Sequence, residues 1–139
     1  MTVKEYFQQA FTIDRLLKAT RTQLEELREK RLIVSSLSYG EKVQNSPNSE
    51  KFNASSDLFI DLEQTLVENE KRLTGLKFEF LGHIHKLDKP THQLIMMERY
   101  VNLKKWDQIC IDNNYSWGAV HKIHGEALKC MEVYIGNMI

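Results

Sequence analysis

Two long apolar seams constrain this chain more than any other feature in it. Val3, Tyr6, Ala10, Ile13, Leu17, Thr20, Leu24, Leu27, Arg31 and Val34 are spaced alternately three and four residues apart. Phe59, Leu62, Leu66, Asn69, Leu73, Leu76, Phe80, His83 and Leu87 repeat that rhythm. Such spacing lays side chains along one stripe of an α-helix, so it predicts two long amphipathic helices that need partner helices. Thr20 and Arg31 are polar exceptions in the first seam. Asn69, in the second, either sets the register of a partner or lies at a solvated edge. Phe7, Phe11 and Leu16 widen the first stripe beyond a two-stranded seam.

Only two prolines and six glycines occur in 139 residues, and strand-like alternation is nearly absent. The expected fold is therefore all-α. Residues 35–56 are crowded with serine and asparagine and read as a polar connection. Two helices of similar length joined this way should fold back as a long antiparallel, coiled-coil-like hairpin over residues 1–88. The wide stripe exceeds what one hairpin covers. Two hairpins are therefore expected to form a four-helix dimerisation bundle. The seam residues expected to build it are Ile13, Leu17, Leu24, Leu27, Leu62, Leu66, Leu73, Leu76 and Phe80. Asp88-Lys-Pro90 ends the second helix, and a compact helical unit is expected over residues 91–139.

Within that unit, Trp106-Asp-Gln-Ile-Cys-Ile-Asp-Asn-Asn-Tyr-Ser-Trp-Gly-Ala-Val-His-Lys-Ile123 has the spacing of a helix-turn-helix. Ile109 and Cys110 should face inward, Cys110 being small enough for a close backbone crossing. Asn114 falls where the chain must turn sharply, and asparagine tolerates the left-handed conformation. Ser116 is a suitable N-cap for the next helix. Val120, Ile123, Ala127 and Leu128 recur at helical spacing and should seat that helix on the core. A purely structural two-helix corner would share much of this pattern. Gly118 and Gly125 lie inside the second helix, each costing roughly 1 kcal/mol relative to alanine.

If the second helix enters the DNA major groove, Ser116, Trp117, Ala119, His121, Lys122 and His124 are the candidate contacts, with Lys104 and Lys105 at the preceding turn. Trp117 either meets a thymine methyl or a sugar, or packs on the first helix. Lys122 is the best phosphate candidate; the alternative for each lysine is a solvated surface charge. His121 and His124 share a helix face but lack further ligands at zinc spacing, and His83, His85 and His92 form a loose cluster without cysteine support. No metal or other cofactor is expected.

These residues bring a resemblance into view. The segments are Met1-Thr-Val-Lys-Glu-Tyr6, Ser46-Pro-Asn48, Asp61-Leu-Glu63, Glu98-Arg-Tyr100, Trp106-Asp-Gln-Ile109, Tyr115-Ser116, Val120-His-Lys-Ile-His124 and Ala127-Leu128. In them the chain resembles small bacteriophage and prophage proteins whose C-terminal helix-turn-helix looks like region four of bacterial sigma factors. Late transcription regulators of the RinA and ArpU kind have a similar layout. The resemblance implies a phage transcription factor that acts on late promoters and touches RNA polymerase. The sequence departs from the pattern at Gly118 and Gly125, and Cys110 replaces the usual alanine.

The whole chain carries 19 Lys+Arg against 19 Asp+Glu. Phosphate contacts supply much of the affinity of DNA-binding modules, so binding by a monomer should be weak and salt-sensitive. A runner-up reading follows: an adaptor or inhibitor that binds RNA polymerase or another host protein without reading DNA. Nothing points to an enzyme, since no phosphate-cradling glycine loop and no nucleophile context occur. No apolar run approaches the roughly 20 residues of a membrane span, and the start lacks the apolar core of a secretory signal. Cys110 and Cys130 read as reduced, buried thiols on apolar helix faces. The expected setting is the cytoplasm of a host bacterium, with double-stranded DNA as partner and a homodimer as the state.

Overall fold

Every element in the computed structural model is helical among the described residues, which are 1–37 and 47–139 for the backbone and 1–32 and 56–139 for side chains. The elements are α1 (Val3–Leu37), α2 (Pro47–His85), α3 (Pro90–Met96), a π-helical turn (Met97–Val101), α4 (Trp106–Asn113) and α5 (Trp117–Ile135). None of the described helices is long and apolar enough to cross a membrane.

Local chemistry explains where these helices start and stop. Thr2 and Glu5 form a reciprocal capping box at the head of α1. The Glu5 amide donates to Thr2 Oγ1 at 3.1 Å, and the Thr2 amide donates to Glu5 Oε2 at 2.7 Å. The bond from the Thr2 amide, with a smaller effect of the Thr2 hydroxyl, holds the Glu5 carboxyl below its usual pKa. Helix α2 begins at Pro47, so residues 47–56 are helical and only part of the expected connection is left. A proline's missing N–H costs nothing in the first turn, which makes Pro47 a starter rather than a breaker. Residues 38–46 lie outside the described residues. Beyond α2, the Gln93 side chain donates to the Leu87 carbonyl at 2.8 Å, and Pro90 opens α3.

The chain divides into two compact units. The first unit joins Met1–Asp14 to Arg72–Ile139. Its fully buried side chains include Phe7, Phe80, Ile84, Ile95, Met96, Tyr100, Ile109 and Met131. Phe7 lies 4.7 Å from Phe80 and 5.2 Å from Tyr100 between ring centres. The boundary expected at residues 88–91 thus falls inside one unit. The start of α1 and the end of α2 share a core with the C-terminal helices, because Phe7 packs between Phe80 and Tyr100.

The second unit is Arg15–Lys71. Leu17, Leu24 and Phe59 are buried in it. Its two helices run in opposite directions: Arg21 pairs with Glu70 at 2.7 Å, and further along α1 the Arg31 guanidinium lies 4.7 Å from the Phe59 ring centre. Both polar exceptions of the first seam find a physical use here. Arg31 covers an aromatic face. The Thr20 hydroxyl donates to the Leu16 carbonyl of its own helix at 2.7 Å, which satisfies it in a buried position.

The nine seam residues meet different fates. Ile13, Leu17, Leu24, Leu73 and Phe80 are buried within the single chain, whereas Leu27, Leu62, Leu66 and Leu76 are half-buried. The first five are thus unavailable to a dimer seam unless the chain opens, which corrects the expectation placed on them. Asn69 is half-buried.

Candidate nucleic-acid interface

The last two helices are set by one small cluster and one turn. Ile95, Ile109 and Val120 are buried together, with Trp106, Cys110, Tyr115 and Ile123 packed against them. Asn114 ends α4 in the left-handed conformation, at φ 57° and ψ 37°. The Tyr115 amide then donates to the Cys110 carbonyl at 3.1 Å. Ser116 caps α5, its hydroxyl accepting from the Ala119 amide at 3.2 Å. Asn113 is polar where an apolar residue usually closes the first helix. Its side-chain amide donates to the Ile109 carbonyl at 2.9 Å, which fastens the end of α4.

Before α4 the backbone is unusual. The helix widens into a π-helical turn, with the Asn102 amide donating to the Met97 carbonyl at 2.9 Å. Leu103 then adopts φ 56°, a left-handed conformation that is costly for leucine. Contacts on both sides hold it. Arg99 donates to the Lys104 carbonyl at 2.8 Å. The Lys104 ammonium bonds Glu98 at 2.5 Å and Asp112 at 2.9 Å. The Lys104 partnership holds Glu98 and Asp112 below their usual pKa, and the Glu98 bond raises that of Lys104.

The eight expected contact residues separate accordingly. Ser116, Trp117, Lys122 and Lys105 are exposed, and Ala119 and His121 are half-buried. His124 is not a surface residue. It is 5% exposed, its Nε2 shares a 2.7 Å hydrogen bond with the Tyr100 hydroxyl, and it meets Trp106 edge-on at 4.6 Å. It therefore leaves the contact set, because its position on α5 turns it toward Tyr100. Burial, with smaller repulsion from Lys4, His121 and Arg99, pulls its pKa down to about 4. The Tyr100 hydroxyl is pushed up to about 12 by its own burial. Lys104 also leaves the set, since two carboxylates already neutralise it.

Arg99 is the contributor that sequence reasoning missed. Its guanidinium lies 4.3 Å from the Phe11 ring centre and 4.6 Å from that of Trp106. The only signal was its place beside Tyr100 in one of the resembling segments. Among the described residues, no three His, Cys, Asp or Glu side chains gather in a way that could hold a metal ion.

Comparison with protein-family models, with curated proteins and with solved structures finds no match for this chain.

Proposed function

We propose that this chain is a phage-encoded, non-enzymatic transcription regulator that binds double-stranded DNA. On this reading α4 and α5 form a helix-turn-helix like that of sigma region four, and α1 with α2 forms an antiparallel hairpin that brings two copies together. It acts on late phage promoters in the cytoplasm of the host bacterium and touches RNA polymerase there. One observation carries the reading: the left-handed Asn114 and the Ser116 cap, which open α5 with Ser116, Trp117 and Lys122 exposed. A second helix opened by a tight turn, with polar and aromatic residues outward at its start, is the element that enters a major groove. In the hairpin, Leu27, Leu62 and Leu66 are the seam residues of the second unit still partly open to a partner.

The second reading is a protein-interaction adaptor, and a specific observation favours it. Lys104 is bound to Glu98 and Asp112, so the turn before α4 contributes less positive charge than its sequence promises. Selection from a random-sequence duplex pool separates the two. Enrichment of a shared motif, with affinity falling steeply as salt rises, supports DNA binding. No enrichment, together with capture of RNA polymerase by the purified chain, moves the conclusion to the adaptor.

A further inference from the structure

The geometry points to Trp117 as a rigid apolar reader of a thymine methyl group in duplex DNA, with His121 as the residue that holds it in position. This rests on the DNA-binding reading and adds a specificity determinant to it.

Trp117 is 59% exposed although it is one of the largest apolar side chains on the surface. It is nevertheless not left without support. Its ring lies 4.5 Å from that of His121, tilted by 54°. His121 in turn lies 4.8 Å from Trp106 at 49°. Behind Trp106 stands the Arg99 guanidinium, itself resting on Phe11. Five side chains thus lean on one another in a row that starts at the half-buried Phe11 and ends at Trp117. The imidazole is held by its ring contacts: among the described residues its buried Nε2 has no hydrogen-bond partner.

An indole fixed on one side presents the rest of its surface with little rotamer freedom left to lose, which lowers the entropic cost of a contact. Apart from the single Nε1–H donor in the ring plane, the indole surface is apolar. In the major groove the apolar feature that distinguishes base pairs is the C5-methyl of thymine, so that is what such a face discriminates. His121 acts through Trp117 and is a positioning residue, not a contact residue.

The test uses the full chain and duplexes that it recovers from a random-sequence pool. Each thymine is replaced in turn by deoxyuridine, which lacks only the C5-methyl. At one position the replacement should weaken binding about fourfold, the worth of one apolar carbon removed from water. Trp117→Ala should bind the two duplexes equally. His121→Ala should lose most of the discrimination, and His121→Phe should keep it because a ring again supports the indole. A duplex bound by the wild type with no position sensitive to deoxyuridine overturns this inference alone. So does full discrimination by His121→Ala, or its loss in a folded His121→Phe. Failure to recover any duplex overturns the DNA-binding reading beneath it.

Discussion

His124 shows how one buried side chain makes the fold sensitive to acid. Its pKa lies near 4 in the folded chain against 6.5 when unperturbed, chiefly because burial disfavours the charged ring. The unfolded chain therefore takes up this proton first as pH falls. The stability tied to the neutral ring is fully present above pH 6.5 and is lost progressively down to about pH 4, a loss on the order of 3 kcal/mol. Urea unfolding at several pH values should show it. His124→Phe should flatten that part of the profile, and an identical acid slope in both proteins would refute the assignment. At the surface, Lys122 is exposed on α5, the helix proposed to meet DNA. Lys122→Glu should weaken DNA binding more than tenfold at low salt, since repulsion replaces attraction at a phosphate. Folding should change by less than about 1 kcal/mol, with circular dichroism as the control. Unchanged affinity across a salt series would remove Lys122 from the interface.

Helix α5 is an element whose ends and weak points can be tuned separately. Ser116 accepts the Ala119 amide, so Ser116→Ala should cost about 1 kcal/mol. A Cβ added at Gly125 would meet nothing within 4 Å. Gly125→Ala should therefore stabilise the chain by about 1 kcal/mol, the helix-propensity difference. Thermal melts of both variants would check the pair, and a destabilised Gly125→Ala would mean the site is tighter than its geometry. At this scale the sequence was readable where the chemistry is local. The left-handed turn at Asn114 and the cap at Ser116 follow from the conformations those side chains favour. The π-helical turn and the left-handed Leu103 did not announce themselves, because bonds between Glu98, Arg99, Lys104 and Asp112 impose them. The serines and asparagines of residues 47–56 read as a connection, yet Pro47 suits the first turn of a helix and α2 begins there.

For the whole molecule, the shared core of the first unit carries a direct consequence. Tyr100 is 1% exposed, and part of its cover is Phe7 of α1. A fragment of residues 91–139 would lose that cover, and with it the Phe80 ring that backs Phe7. It should melt well below the full chain, and equal, equally cooperative melts would show the dependence to be absent. The seams allow a second comparison. Leu73 is buried within the chain and Leu66 is only half-buried. Leu73→Asp should unfold the protein, since a buried carboxylate without a partner is costly. Leu66→Asp should instead leave a folded monomer in sedimentation velocity runs where the parent is a dimer. A parent that sediments as a monomer throughout the micromolar range would end the dimer proposal.

Helical character, the two seams, the turn at Asn114 and the inward Ile109 and Val120 of the last two helices were determined by the sequence alone, because periodicity and local backbone preference act over a few neighbouring residues. Only the tertiary structure decided what covers each stripe. A heptad seam states that a face must be buried but not by what, so Phe7 and Phe80 could serve the C-terminal helices as readily as a second copy. The same limit applied at the candidate interface. Lys104 and His124 had the residue types of a DNA contact, but whether they face solvent depends on Glu98, Asp112 and Tyr100, which only folding brings to them.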